Sequence, residues 1–124
     1  MARTLLVATV QQPDQIATNL TTTCVSSPGT TGAGNGILVP NIVGQTFLGI
    51  VSAGTASTLT VNIGATLFSQ GATGYSVSLP ATAGVYMIGL FHSAMDIPGT
   101  NQVGIDFSSV TGITVGVIQL AGVY

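Results

Sequence analysis

The amino-acid sequence predicts an all-β fold: an antiparallel β-sandwich, jelly-roll-like, with an N-terminal arm. Apolar and polar residues alternate with period two in some segments, and other segments are apolar on both faces and rich in β-branched and aromatic residues. Turn signals containing Gly or Pro separate these segments. Short strands at such regular spacing are typical of a sandwich or barrel. The 124 residues suit a single domain over residues 1–124.

The first predicted element is the N-terminal arm, residues 1–20. Its apolar stretch Leu5, Leu6 and Val7 is separated from the rest of the chain by a Gln-Gln-Pro sequence. We expect this stretch to pair with a neighbouring subunit by strand addition, with Arg3 near its exposed end. The alternative is an ordinary edge strand in the chain's own sheet. Arg3, Leu5, Leu6 and Val7 are therefore the candidate subunit-contact residues.

The next segment is less regular. Pro13 at a first helical position, with Ile16 and Leu20 four residues apart, is compatible with a turn or two of helix. Residues 21–36 are rich in Ser, Thr and Gly and are predicted to form a long, flexible, exposed loop. The Gly-Ala-Gly-Asn-Gly sequence at 32–36 is similar to a phosphate-cradling loop, but the apolar sequence after it cannot begin a helix. A surface loop is therefore favoured.

The strand segments are of two kinds. Those with one apolar and one polar face are 58–63, 75–79 and 102–107. This pattern predicts strands half exposed to solvent, as in antiparallel sheets. Those apolar on both faces are 46–51, 85–91 and 113–120. We interpret the second kind as inner strands or as strands that a neighbouring subunit covers.

Charged side chains are almost absent. Arg3 is the only basic residue, Asp14, Asp96 and Asp106 are the only acidic ones, and charged residues make up 3% of the chain against about 25% in an ordinary domain. Because nucleic-acid backbones are bound by clustered Lys and Arg, we expect no nucleic-acid partner. No apolar run reaches the roughly 20 residues of a membrane-spanning helix, so we expect no membrane partner. Much of the surface is predicted to be covered by other protein.

Reactive side chains are few, and we predict no catalytic, cofactor-binding or metal site and no enzyme. One histidine, His92, with Asp96 as its nearest carboxylate in sequence does not make a zinc site. Cys24 stands alone and forms no intrachain disulfide. Its expected role is that of a small hydrophobe rather than a nucleophile paired with His92. Each Asp lies beside turn-forming or strand-end residues, where this side chain commonly hydrogen-bonds the backbone.

The small charge count also predicts two properties in solution. The isolated subunit should not be a well-behaved monomer, because it lacks the charge that normally keeps subunits apart. The melting temperature of the assembled protein should change little between about pH 4 and 9 and from low to molar salt, because few groups titrate and few ion pairs can be screened.

Several segments from about Gly36 onward match, in order, the pattern of one protein family. They are Gln45-Thr46-Phe47-Leu48 beside the family's GRTFL, Ser57-Thr58-Leu59-Thr60-Val61 in place of its Thr/Val strand, Tyr75-Ser76-Val77-Ser78-Leu79-Pro80-Ala81 beside TVTVPAG, Met87-Ile88-Gly89-Leu90-Phe91 beside FIGPF, Val103-Gly104-Ile105-Asp106-Phe107-Ser108 beside VYVDFS, and Val110-Thr111-Gly112-Ile113-Thr114-Val115 beside its final strand. The opening Met1-Ala2-Arg3 is also typical of that family. The chain thus resembles the small head proteins of tailed bacteriophages that are regarded as capsid decoration proteins.

This resemblance implies a virion structural protein, a capsid decoration or cementing subunit that binds the outside of an icosahedral head and stabilises it. The implied partners are the major capsid protein and further copies of this chain, as a homotrimer. The implied location is the capsid exterior, after synthesis in the host cytoplasm. Gln45 stands where the family carries Arg and Leu90 where it carries Pro, so we do not assume an inherited electrostatic contact with the capsid.

Two alternatives to a decoration protein stay open. One is a tail-tube or pilus-like filament subunit, which a gene position beside tail or secretion genes would favour. The other is a carbohydrate-binding jelly-roll module, for which a chain with no Trp and three Tyr offers few aromatic rings to stack on sugars.

Overall fold

The structure, a computed structural model, describes residues 3–11, 17, 19–32, 34–41, 46–62, 74–89 and 100–120. In this part of the chain most residues belong to β-strands. The strands are β1 Thr4–Leu5, β2 Ala8–Gln11, β3 Ile37–Pro40, β4 Thr46–Ser52, β5 Ser57–Asn62, β6 Gly74–Leu79, β7 Gly84–Gly89, β8 Gln102–Phe107 and β9 Ile113–Leu120, and the helix is α1 Leu20–Thr23. No helix among the described residues is long and apolar enough to cross a membrane.

The strands form two sheets that pack against each other, which confirms the predicted all-β sandwich. The five-stranded sheet has the order β1-β3-β8-β5-β6, and the four-stranded sheet has the order β2-β9-β4-β7. From β3 to β9 successive strands lie in opposite sheets, except for β5 and β6, which pair side by side. Pairs among β3 to β9 are antiparallel, whereas β1 runs parallel to β3 and β2 parallel to β9. The sheets are therefore mixed rather than antiparallel throughout, because the N-terminal segment adds one parallel strand to each.

The core lies between the two sheets and follows from the sequence patterns. On β5 and β8 the apolar residues of the alternating segments, such as Leu59 and Ile105, are buried. β4 and β9, which are apolar on both faces, are inner strands of the four-stranded sheet. β7, the third strand of that kind, lies at the end of this sheet among the described strands. The largest fully buried side chains are Phe107, Ile37, Leu48, Ile50, Leu59, Ile105, Ile118, Val39, Val61, Val103 and Val115.

The N-terminal segment, residues 3–11, crosses from one sheet to the other along one side of the sandwich. Its strand β1 lies beside β3, and its strand β2 lies beside β9. Between them the side chain of Leu6 is buried in the core, and its N–H donates to the carbonyl of Leu38 at 3.0 Å. We call residues 3–11 the N-terminal strap. In this structure the strap belongs to the chain's own sheets, which is the edge-strand alternative of the sequence analysis.

The segment after the strap contains α1. The helix begins at Leu20, and the side chain of Asn19 caps it by accepting from the Thr21 N–H at 3.0 Å. Most of the helical turn considered before Leu20 lies outside the described residues. Farther along, Ser26 forms an antiparallel bridge with Val115. Parts of the predicted loop at 21–36 are therefore attached to the sandwich by backbone hydrogen bonds.

Candidate functional site

A polar cluster lies on the outer surface of the five-stranded sheet. The guanidinium of Arg3, the only basic residue of the sequence, donates from Nε to Oδ1 of Asp106 at 2.9 Å and from Nη2 to Oδ2 at 2.8 Å. The backbone N–H groups of Gly34 and Gly36 donate to the same carboxylate at 3.0 and 3.1 Å. The two donors of the arginine match the two carboxylate oxygens, which makes the contact directional as well as strong. We call these four residues the Asp106 cluster.

Glycines give the Asp106 cluster the space that it needs. A Cβ at Gly36 would overlap the carbonyl oxygen of Ile105. A Cβ at Gly104 would lie 3.1 Å from Cζ of Arg3, so the guanidinium packs directly over this backbone. Gly34 has a φ of +82°, a conformation that favours glycine. The close approach of the strap and the loop to β8 therefore depends on residues without side chains.

The electrostatics of the cluster favour an ionised carboxylate. Burial by itself would raise the pKa of Asp106, but the hydrogen bonds from Arg3 and from the N–H groups of Gly34 and Gly36 outweigh it. The pKa of Asp106 is lowered from 3.8 to about 2. At neutral pH the carboxylate is thus charged and lies beside the single guanidinium of the chain.

The glycine-rich sequence at 32–36 does present backbone N–H groups to an anion. That anion is the chain's own carboxylate on Asp106 rather than a phosphate. Asp106 thus hydrogen-bonds the backbone, as the sequence analysis expected of each Asp. The pairing with Arg3 was not foreseen, because 103 residues separate the two positions. One feature of the sequence could have indicated this pairing: the single Arg has only three carboxylate side chains with which it could form an ion pair.

The outer surfaces of the two sheets differ in chemistry. On the five-stranded sheet the outward positions of β5 and β6 carry hydroxyl side chains, namely Thr58, Thr60, Ser76 and Ser78. On the four-stranded sheet β4, β7 and β9 carry six large apolar side chains at outward positions, namely Phe47, Val51, Val85, Met87, Ile118 and Leu120, of which Ile118 is fully buried. The polar residues Thr9, Gln11 and Thr114 also lie at outward positions of this sheet. We call the six apolar residues the apolar face. Met87 is its most exposed member at 61%, and Val85 is exposed at 47%.

Cys24 lies in the middle of the apolar face, over two glycines that face each other in the sheet. Gly49 on β4 and Gly116 on β9 are register partners. A Cβ at Gly49 would lie 2.6 Å from Sγ of Cys24, and one at Gly116 would lie 2.9 Å from its Cα. Cys24 is a free, fully buried cysteine, and burial raises the pKa of its thiol. The side chain therefore fills a depression as a small hydrophobe, as the sequence analysis expected.

The four candidate contact residues of the strap have different environments. Leu5 and Val7 are exposed, Val7 at 89%, and either side chain is accessible to another molecule. Leu6 packs in the chain's own core. Arg3 was expected near an exposed end, but its side chain is mostly covered and paired with Asp106.

Other candidate residues lie outside the described part of the chain. These are His92, Asp14 and Asp96, so the structure does not test whether His92 approaches Cys24 or Asp96. Among the described residues, no three His, Cys, Asp or Glu side chains come together in a group that could hold a metal ion.

Comparisons with known proteins returned no relative. No protein-family model matches the sequence, and neither the curated proteins nor the solved structures contain a significant match.

Proposed function

We propose that this chain is a virion structural protein, a decoration or cementing subunit on the outside of an icosahedral head. Its partners would be the major capsid protein and further copies of the chain, with a homotrimer as the proposed assembly. The apolar face is the observation that best supports this proposal.

The contrast between the two outer surfaces supports a subunit that is oriented in an assembly. Soluble monomers rarely expose contiguous apolar patches of more than a few hundred Å². The apolar face has no ionisable side chain among its six members, whereas the outer surface of the other sheet carries hydroxyl side chains on β5 and β6 and the charged pair Arg3 and Asp106. Interface cores are similarly depleted of charge. The four-stranded sheet would then face protein, and the five-stranded sheet would face water.

The strap enlarges the surface that is available for contact. Leu5, Val7 and Val10 are exposed along the side of the sandwich where β1 and β2 lie. Each large apolar side chain that becomes fully buried contributes about 1.5–3 kcal/mol. A few such residues, repeated over many copies on a particle, are enough to hold a shell together without charged contacts.

One charge substitution on each outer surface tests the proposal. Met87→Lys places an ammonium on the apolar face, and Ser78→Lys places the same group at an exposed outward position of the other sheet. Both variants should fold, because both side chains are exposed. Heads assembled without this subunit would be incubated with each purified variant, and bound protein would be counted after pelleting and by cryo-electron microscopy.

We expect Met87→Lys to lower binding at least tenfold, because a desolvated ammonium without a partner is costly. Ser78→Lys should bind like the unmodified protein. Equal binding by all three proteins would remove the apolar face as the contact surface. Absence of binding by the unmodified protein would count against a decoration role.

A further inference from the structure

Three segments that are far apart in sequence meet at the Asp106 carboxylate. Arg3 comes from the strap, Gly34 and Gly36 come from the end of the loop, and Asp106 lies in β8. The strap and the loop also contact each other directly, because the N–H of Thr4 donates to the carbonyl of Gly36 at 3.1 Å. Neither segment can leave its place without disturbing hydrogen bonds that involve the other.

The charges in the Asp106 cluster strengthen the mutual dependence of the strap and the loop. Arg3 is the only basic side chain of the sequence, so no other Lys or Arg can replace it beside Asp106. If the strap left, a largely buried carboxylate would lose its counter-charge, which is much less favourable than exposing both groups to water. Opening of the loop would let water reach the Asp106 carboxylate and would weaken its hydrogen bonds with Arg3. Each movement thus favours the other.

We propose that Asp106 is a latch that couples docking of the N-terminal strap to closure of the loop that carries Gly34 and Gly36. The strap and the loop open and close as one cooperative unit rather than independently. Because β1 of the strap covers the hydrogen-bonding edge of β3, the latch decides whether that edge is available to another strand. This inference concerns the isolated chain and does not depend on the proposed virion role.

Amide hydrogen exchange of the full-length chain tests the coupling. In the unmodified protein we would follow the Leu6 amide of the strap, which donates to the Leu38 carbonyl in β3, and the Gly36 amide of the loop, which donates to the Asp106 carboxylate in β8. Exchange rates measured in increasing urea give the opening free energy of each amide. If the strap and the loop open together, the opening free energies of the two amides should follow the same dependence on urea. That opening free energy should be lower than the free energy of global unfolding. Separate dependences for the two amides would overturn the proposal.

A matched pair of strap variants gives a second test. Arg3→Gln removes the guanidinium, whereas Val7→Gln introduces the same side chain at a position of the strap that is 89% exposed. We expect Arg3→Gln to accelerate exchange at the Gly34 and Gly36 amides at least tenfold, although these lie more than 30 positions away in sequence. Val7→Gln should change those rates less than twofold. If Arg3→Gln accelerates exchange in the strap alone, the strap and the loop are independent and the latch does not exist.

Discussion

Acidification should weaken the folded state through Asp106. The pKa of this carboxyl is about 2 in the folded chain against 3.8 as its ordinary value. Because the folded pKa is the lower one, the stabilisation is fully present above about pH 5 and is lost as the pH falls through 3.8 towards 2. A difference of nearly two pKa units corresponds to about 2.4 kcal/mol, since one unit is about 1.4 kcal/mol.

The two pKa values predict how much of the stabilisation from Asp106 is lost at each pH. With these two pKa values, about 0.3 kcal/mol is lost by pH 4, about 1 kcal/mol by pH 3 and about 2 kcal/mol by pH 2. Arg3 does not titrate in this range. The neighbouring strands β3 and β5 and the loop at 29–36 contribute no other charged or titratable side chain. The expectation of a nearly constant melting temperature between pH 4 and 9 is compatible with these losses, because the cluster responds mainly below pH 4.

Urea unfolding of the unmodified protein and of Asp106→Asn, measured from pH 7 to pH 2, isolates the contribution. Asp14 and Asp96 are present in both proteins, so their titration cancels in the difference. We expect the stability difference between the two proteins to shrink by about 2 kcal/mol over this range, with most of the change below pH 4. Two curves that stay parallel down to pH 2 would refute the stabilisation assigned to the Asp106 cluster.

Two further predictions concern the centre of the apolar face. Gly116→Ala should lower the free energy of unfolding by about 1–3 kcal/mol, because its Cβ would overlap Cys24, whereas the Cβ of Gly84→Ala would meet no atom closer than 3.4 Å and should change the stability little. Urea melts of both variants check this, and equal losses would contradict it. The Cys24 thiol should react with a thiol reagent at the rate of unfolding, because burial raises its pKa and shields it. Fast labelling of the folded protein would contradict that assignment.

The sequence predicted the strands well where packing leaves a local pattern. The alternation in 102–107 marked β8, and the runs apolar on both faces marked β4 and β9 as inner strands. In these strands the polarity of each side chain indicates whether its side of the sheet is buried. A short stretch of neighbouring residues is therefore enough to predict the strand. The third apolar run, 85–91, contains β7, which lies at an end of its sheet among the described strands, so for this run the alternative of a strand covered by a neighbouring subunit stays a prediction.

The candidate sites could not be predicted from neighbouring residues, because they depend on how distant strands dock and in which register they pair. Nothing near Arg3 shows that its partner is Asp106, since that depends on how β1 docks against β3. The facing glycines Gly49 and Gly116 are ordinary strand residues until the register of β4 and β9 places both under Cys24. The parallel direction of the strap strands was missed for the same reason, because a short apolar stretch is equally compatible with either direction.

The N-terminal strap also has a consequence for the order of events during synthesis. β1 pairs with the nearby β3, but other partners of the strap come about a hundred residues later: β2 pairs with β9, and Arg3 pairs with a residue 103 positions later. At about 5–20 residues per second, the ribosome makes the strap roughly 5–20 s before it makes those partners. The strap therefore cannot complete its docking until β8 and β9 have been made. During that interval β2 lacks the strand beside which it lies in the folded chain, and Arg3 lacks its carboxylate partner.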